Sequence, residues 1–241
     1  MAYTITEPEP RYGKSAGKGL TMFEAVIFDW DGTLADSLPV IVVSFQKTLN
    51  EVGCNVSDEF LLRRIGIGAR NMFREALSLC SMPCDEKIVD DLLKRKIRIH
   101  AELADKITLI DGAHELLDSL RPKVKMALAT MSNRPVIDKL LKQKNLVDHF
   151  DYVLTVDEVA KPKPDPEVFL KCAAQLNCQP ERCVVVEDSV FGVKAAVRAN
   201  MKCIAVPSGA YSKTELAAEH PDLIVDSLKQ KQKILDYIFG Y

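Results

Sequence analysis

The sequence predicts an α/β protein: a parallel sheet interrupted, after its first strand, by an all-helical insertion. Three observations carry this. From Ile107 onward, short apolar runs alternate with amphipathic stretches, the pattern of a parallel sheet covered by helices on both faces. Between Leu38 and about Ala104, helix-like stretches follow one another with no strand among them. Finally, residues able to do chemistry sit at the ends of the apolar runs, where ligands bind in such sheets.

Ala25-Val-Ile-Phe28 reads as the first buried strand. Asp29 and Asp31 follow it, and residues two apart on a strand share a face. Two carboxylates brought together repel unless a cation or a shared proton lies between them. Gly32-Thr33 ends the strand in a tight turn. Ser37 suits an N-cap and Pro39 a helix start. Leu38, Ile41, Val42, Phe45, Leu49 and Val52 keep helical spacing, and Gly53 ends that helix. Asp58 to Ile65, Ala69 to Cys80 and Asp85 to about Ala104 carry apolar stripes with charged outer faces. Beyond them come a helix from Gly112 to Leu120, a strand Val124 to Ala129 ending at Thr130, and a helix from Pro135 to Lys144. A strand at Tyr152 to Thr155, a helix from Pro166 to Asn177, a strand Cys183 to Glu187 and a helix from Phe191 to Ala199 follow. Cys203 to Val206 and a short Leu223 to Val225 complete the sheet. The core is therefore expected in 22–36 and 107–241, and the helical insertion in 37–106. Residues 1–21 read as a disordered leader or tag, with Met22 as the natural start.

The composition narrows the function. With 241 residues, 47% of them hydrophobic, the chain can build a real core. A formal charge of -2 gives no basis for binding nucleic acid or a membrane surface. No apolar run approaches the roughly 18 residues that span a bilayer, and the first residues lack the apolar block of a signal peptide. Seven cysteines form no disulfide or zinc framework, so reduced thiols and a cytoplasmic location are expected. The four histidines are scattered and carry no assigned role.

Asp29-Trp-Asp31-Gly-Thr-Leu-Ala-Asp36-Ser37 resembles motif I of the haloacid dehalogenase superfamily of phosphohydrolases. Ala127-Leu-Ala-Thr130-Met-Ser132-Asn133 resembles motif II, in which a strand-end hydroxyl binds a phosphoryl oxygen. Ser132 and Asn133 could add donors. Val159-Ala-Lys161-Pro-Lys163-Pro-Asp165-Pro resembles motif III, and matching it to Lys-Pro-x-Pro-Asp selects Lys161 over Lys163. Val184-Val-Val-Glu187-Asp188-Ser189 resembles motif IV, with Asp188 on the metal and Glu187 as a further acidic contributor. The resemblance implies a Rossmann-like core with a helical cap, and magnesium held by Asp29, the Asp31 backbone carbonyl and Asp188. It also implies a mechanism: Asp29 as nucleophile, Asp31 as general acid and base, Thr130 and Lys161 stabilising the transferred phosphoryl group.

Departures from the family sort its branches. Dehalogenases lack the second aspartate of motif I, and phosphonate hydrolases usually replace it; Asp31 is present. Sugar-phosphate mutases such as beta-phosphoglucomutase carry a histidine twelve residues past the nucleophile, where this chain has Ile41. A magnesium-dependent phosphatase of small phosphorylated metabolites, of phosphoglycolate or sugar-phosphate type, is thus the expected activity. A phosphomutase and an inorganic pyrophosphatase are the alternatives. In the cap, Ile65-Gly66-Ile-Gly68-Ala69-Arg70 places free amides and an arginine at a helix start, so Gly66 and Arg70 are expected to bind substrate. The run Lys94-Arg-Lys-Ile-Arg98 reads as a solvated helix face. Trp30 is expected to fix the motif I turn, cap hinges to lie near Ser37 and Asp105 to Leu109, and the chain to act as a monomer or homodimer.

Overall fold

The computed structural model describes residues 23–241, so the expected leader at 1–21 lies outside the described residues. Strand β1 (Ala25–Phe28) leads into β2 (Ala35–Asp36), four helices, and β3 (Thr108–Leu109). The helices are α1 (Leu38–Asn50), α2 (Asp58–Leu62), α3 (Ala69–Leu79) and α4 (Glu86–Leu103). Then α5 (Ala113–Leu120), β4 (Lys125–Ala129), α6 (Arg134–Gln143), β5 (Tyr152–Leu154), α7 (Glu167–Gln175) and β6 (Cys183–Glu187) follow. The chain closes with α8 (Val190–Arg198), β7 (Lys202–Ala205), α9 (Lys213–Ala217), β8 (Leu223–Ile224) and α10 (Lys231–Phe239).

Six strands form one parallel sheet in the order β5-β4-β1-β6-β7-β8. Strand β1 is buried throughout and its side chains divide between two cores, as a period of two requires. Val26 and Phe28 pack with apolar residues of α5, α6 and α10. Ala25 and Ile27 pack with those of α7 and α8. In register, Phe28 lies between Leu128 of β4 and Val186 of β6. The residues just past these positions therefore meet at one edge, and this register assembles the site.

Helices α1 to α4 bury a separate apolar cluster that includes Phe45, Leu61, Phe73 and Val89, with the Phe45 and Phe73 rings 4.9 Å apart. The chain enters and leaves this helical cap through β2 and β3, which pair antiparallel, Ala35 with Leu109 and Asp36 with Thr108. Two residues per strand are too few to show periodicity, and this ribbon was not expected. Helix α2 stops at Leu62, short of the expected Ile65. Cys54 and Cys80 are joined in a disulfide between the ends of α1 and α3, which corrects the expectation of reduced thiols throughout; spacing in sequence does not reveal two loops that fold together. No helix among the described residues is long and apolar enough to cross a membrane.

Candidate active site

The motif I turn is built on one carbonyl. The Trp30 oxygen accepts from the N–H groups of Leu34 and Ala35, each at 3.0 Å, and its indole is fully buried. That carbonyl thus anchors the turn. The turn leaves Asp29 and Asp31 with different surroundings. Asp31 Oδ1 accepts from the Ser37 hydroxyl at 2.7 Å. Its Oδ2 accepts from Ser132 at 2.7 Å and Thr130 at 3.2 Å. Ser37 precedes α1 but makes no side-chain cap; its hydroxyl serves Asp31. Both motif II hydroxyls likewise orient this carboxylate, and the Thr130 oxygen in turn accepts from the Ser132 N–H at 3.0 Å.

Asp29 faces an acidic group instead. One carboxylate oxygen from each of Asp29, Glu187 and Asp188 lies within 4.8 Å of the others, all buried. Burial pushes Asp29 and Asp188 well above the usual carboxylate range, and Glu187 adds to the rise in both. Three neighbouring carboxylates away from water are costly unless a cation balances them. One such cation is Lys163. Its ammonium donates to Asp29 Oδ1 and Glu187 Oε1, both at 2.6 Å, and to the Ala129 carbonyl at 3.3 Å. Burial alone would favour the neutral amine, but Asp29 and Glu187 outweigh it and push the lysine pKa up.

Lys161, selected from the sequence, is exposed, and its backbone N–H bonds Glu167 at 2.8 Å. The lysine of this site is Lys163. The repeat Lys-Pro-Lys-Pro-Asp-Pro puts prolines one and three residues after either lysine, and only the acidic residue that follows separates them, Asp165 for Lys161 and Glu167 for Lys163. Lys163 lies one turn before α7, and its ammonium sits 5.0 Å from the centre of the Phe169 ring. Its distance from the apolar stripe of that helix is the signal that distinguishes it.

Glu187 is engaged at both oxygens. Besides Lys163 on Oε1, its Oε2 accepts from the N–H groups of Asp188 and Ser189 and from the Ser189 hydroxyl. These bonds tie Glu187 to Lys163 and to the β6–α8 turn. Asp188 Oδ1 accepts from Thr33 at 2.8 Å. A Cβ on Gly32 would stand 2.3 Å from Asp188 Oδ2, and one on Gly209 only 1.7 Å. The backbone is kept bare around that oxygen. Asp29 and Asp188 therefore offer hard oxygen donors, a set that suits a small divalent cation. The Asp31 carboxylate does not belong to this acidic group.

The cap closes over these residues. A cavity of about 40 Å³ is walled by Asp29, Asp31, Ser132, Lys163 and Asp188 from the core. Leu38, Ile41, Phe45, Gly66 and Met72 face them from the cap. Gly66 thus lines the cavity. Arg70 does not: it pairs with Asp90 at 2.5 Å on α4 and lines a neighbouring groove. One turn of helix carries its side chain past the cavity. Asn133 lines that same groove and donates to Asp157 at 2.7 Å.

Lys96 reaches the cavity from α4, contrary to the reading of its basic run as a solvated face. It is 4% exposed, lies 3.2 Å from His100 Nδ1, and sits 5.1 Å from the Phe45 ring centre. Burial pushes it down to about 8, opposed by the charge of Asp31. No carboxylate lies within ion-pair distance of it among the described residues. The signal available in sequence was the register of α4: Val89, Leu92, Lys96, Ile99 and His100 all fall on its buried stripe.

Residues 26–206 match the family of haloacid dehalogenase-like hydrolases. The chain belongs to this family. Among its relatives is a phosphorylated carbohydrates phosphatase of Thermotoga maritima, 32% identical over 189 residues, which are 75% of this chain and 83% of that one. A phosphoglycolate phosphatase of Pseudomonas putida is 28% identical over 213 residues, 87% of this chain and 78% of that one. Among solved structures, a beta-phosphoglucomutase from Clostridium difficile superposes with a TM-score of 0.81 at 26% identity, covering 91% of this chain and 98% of that one. The chain is thus a hydrolase of this family, and the acidic group at the strand-end edge of its sheet could hold a metal ion.

The strain in that acidic group has a measurable consequence. A buried carboxylate with a raised pKa binds more protons folded than unfolded, so the metal-free protein loses stability as pH rises above the ordinary carboxylate range. Asp188→Asn removes part of that loss. In EDTA at neutral pH this variant should melt above wild type, with the difference shrinking on acidification; thermal scans from pH 5 to pH 8 check it.

Proposed function

We propose that this chain is a magnesium-dependent phosphatase of small phosphorylated metabolites. The observation that carries the reading is the Lys163 bridge between Asp29 and Glu187 beside Asp188. It leaves the second oxygen of Asp29 free to attack, with its charge balanced and its direction fixed. Asp31, held at both oxygens by hydroxyls, protonates the leaving oxygen and then takes a proton from the water that hydrolyses the aspartyl-phosphate. Lys163 stabilises charge on the transferred group, and the Thr130 hydroxyl, whose single proton lies on Asp31 before substrate binds, turns to a phosphoryl oxygen while Ser132 keeps Asp31 in place. Asp29, Asp188 and the Asp31 carbonyl would hold magnesium, which supplies charge neutralisation and orientation of the phosphate. The insert of residues 37–106 opens for substrate entry, hinged at the β2–β3 ribbon.

The small cavity favours a small substrate. Its cap wall is apolar apart from Arg64, which pairs with Glu75, and Lys96, whose ammonium can meet a carboxylate or hydroxyl of the leaving group. Substrates of phosphoglycolate or sugar-phosphate type fit that chemistry, as the names of the relatives also suggest. The likeness to a beta-phosphoglucomutase favours a phosphomutase as second reading. Against it, the cavity wall carries Ile41, which cannot donate or accept a proton.

The experiment is phosphate release from phosphoglycolate, sugar phosphates, nucleotides and pyrophosphate, with magnesium or EDTA. Metal-dependent release from a small monoester is the expected result; isomerisation without release would select the mutase, and pyrophosphate as the best substrate the pyrophosphatase. Lys96→Met should lower kcat/KM for that best substrate about 10- to 100-fold, the worth of a hydrogen bond to a charged group. The same change removes a buried charge, so the variant should gain about 1–3 kcal/mol of stability at neutral pH. Kinetics and denaturant unfolding on one preparation check both.

A further inference from the structure

Two of the histidines that the sequence left unassigned come together outside the catalytic edge. His114 and Asp118 lie one turn apart on α5, and His149 arrives from the turn between α6 and β5. His114 Nδ1 is 3.0 Å from Asp118 Oδ2, and His149 Nε2 is 2.9 Å from Asp118 Oδ1. The two rings meet edge to face with centres 5.5 Å apart. One donor atom from each of the three residues lies within 4.8 Å of the others. None of the three lines the catalytic cavity.

We propose that His114, Asp118 and His149 form a second metal site, selective for zinc or a similar transition-metal ion. Two imidazole nitrogens with one carboxylate are a borderline-soft donor set that zinc prefers, unlike the all-oxygen set at Asp29 and Asp188. Zinc bonds of about 2.0–2.2 Å in a tetrahedral site place donors on the order of 3.3 Å apart. Each imidazole nitrogen already stands near that value from an Asp118 oxygen, His114 from Oδ2 and His149 from Oδ1, so an ion seated among them would replace these two contacts. His149 is 7% exposed, and its packing fixes the ring that would bind. His114 and Asp118 are half open to solvent, leaving an approach for the ion and a position for water. The ion would staple α5, the first helix after the cap, to the turn that feeds β5. The two sites thereby sort two kinds of metal within one chain.

The test uses the full chain with magnesium saturating the catalytic carboxylates, in a Cys84→Ser background that removes the exposed free thiol. Cobalt chloride is titrated as an optical probe and then displaced with zinc chloride. One equivalent of cobalt should bind with visible absorption bands, and zinc should abolish them. His114→Ala and Asp118→Asn, both surface changes, should each weaken binding at least about tenfold and leave phosphate release unchanged. Absence of binding in the parent, or equal cobalt affinity in parent and His114→Ala, would overturn the proposal and leave a hydrogen-bonded His-Asp-His chain. Neither result depends on which substrate the catalytic site takes.

Discussion

Asp29→Asn is expected to abolish turnover, lowering kcat on the order of 10⁴- to 10⁶-fold, the scale seen when a catalytic nucleophile is removed. The amide is nearly isosteric, and Lys163 retains Glu187 as a partner, so the fold should survive. One negative charge leaves a crowded buried group, and the melting temperature in EDTA should not fall. Loss of activity with the fold intact separates a chemical role from a structural one. Circular dichroism melting and phosphate release, measured together, check the pair. A variant retaining more than about a hundredth of wild-type kcat would contradict the role of Asp29.

Lys163→Met should fail on both counts. The substitution keeps length but removes the cation that Asp29 and Glu187 share, leaving two buried carboxylates without it. Breaking a buried pair from one side costs about 3–5 kcal/mol, which for a chain of this size lowers the melting temperature on the order of 10 °C. Activity should drop with it, because the attacking carboxylate loses its orientation and its counter-charge. Lys161→Ala supplies the contrast: that lysine is exposed, and its loss should stay within about 0.5 kcal/mol of wild type. Equal effects at the two positions would mean that the lysine assignment is wrong. The comparison is sharp because the two residues lie in one proline-rich loop.

Much of this architecture is written in local pattern. The first strand, the alternation from Ile107 onward and the helical run from Leu38 depend on periodicity and on Gly, Pro and Ser punctuation. They appear in the structure within a few residues of their expected ends. Asp29, Asp31 and Asp188 were legible because the end of a buried parallel strand fixes where the next side chain goes. Reach was not legible. Whether Lys161 or Lys163 enters the site depends on which residue lies under the body of α7, and both have the same proline spacing. Arg70 and Lys96 show the same limit on the cap. A basic residue at a helix start turned aside to Asp90, while one inside a charged run proved to lie on the buried stripe of α4. The partnership of His114 with His149, and of Cys54 with Cys80, rests on tertiary contact between segments far apart in sequence. The β2–β3 ribbon is too short to leave a pattern.

The claim on which the rest depends is that Asp29 carries the phosphoryl group during turnover. An acyl phosphate is reduced by borohydride, which would convert Asp29 into homoserine and leave every other aspartate untouched. The decisive measurement is therefore peptide mass spectrometry of enzyme quenched with borohydride while it hydrolyses its best substrate with magnesium present. Homoserine at position 29, absent without substrate and absent in EDTA, is the expected result. Turnover without reduction at Asp29, or reduction at another carboxylate, would contradict it.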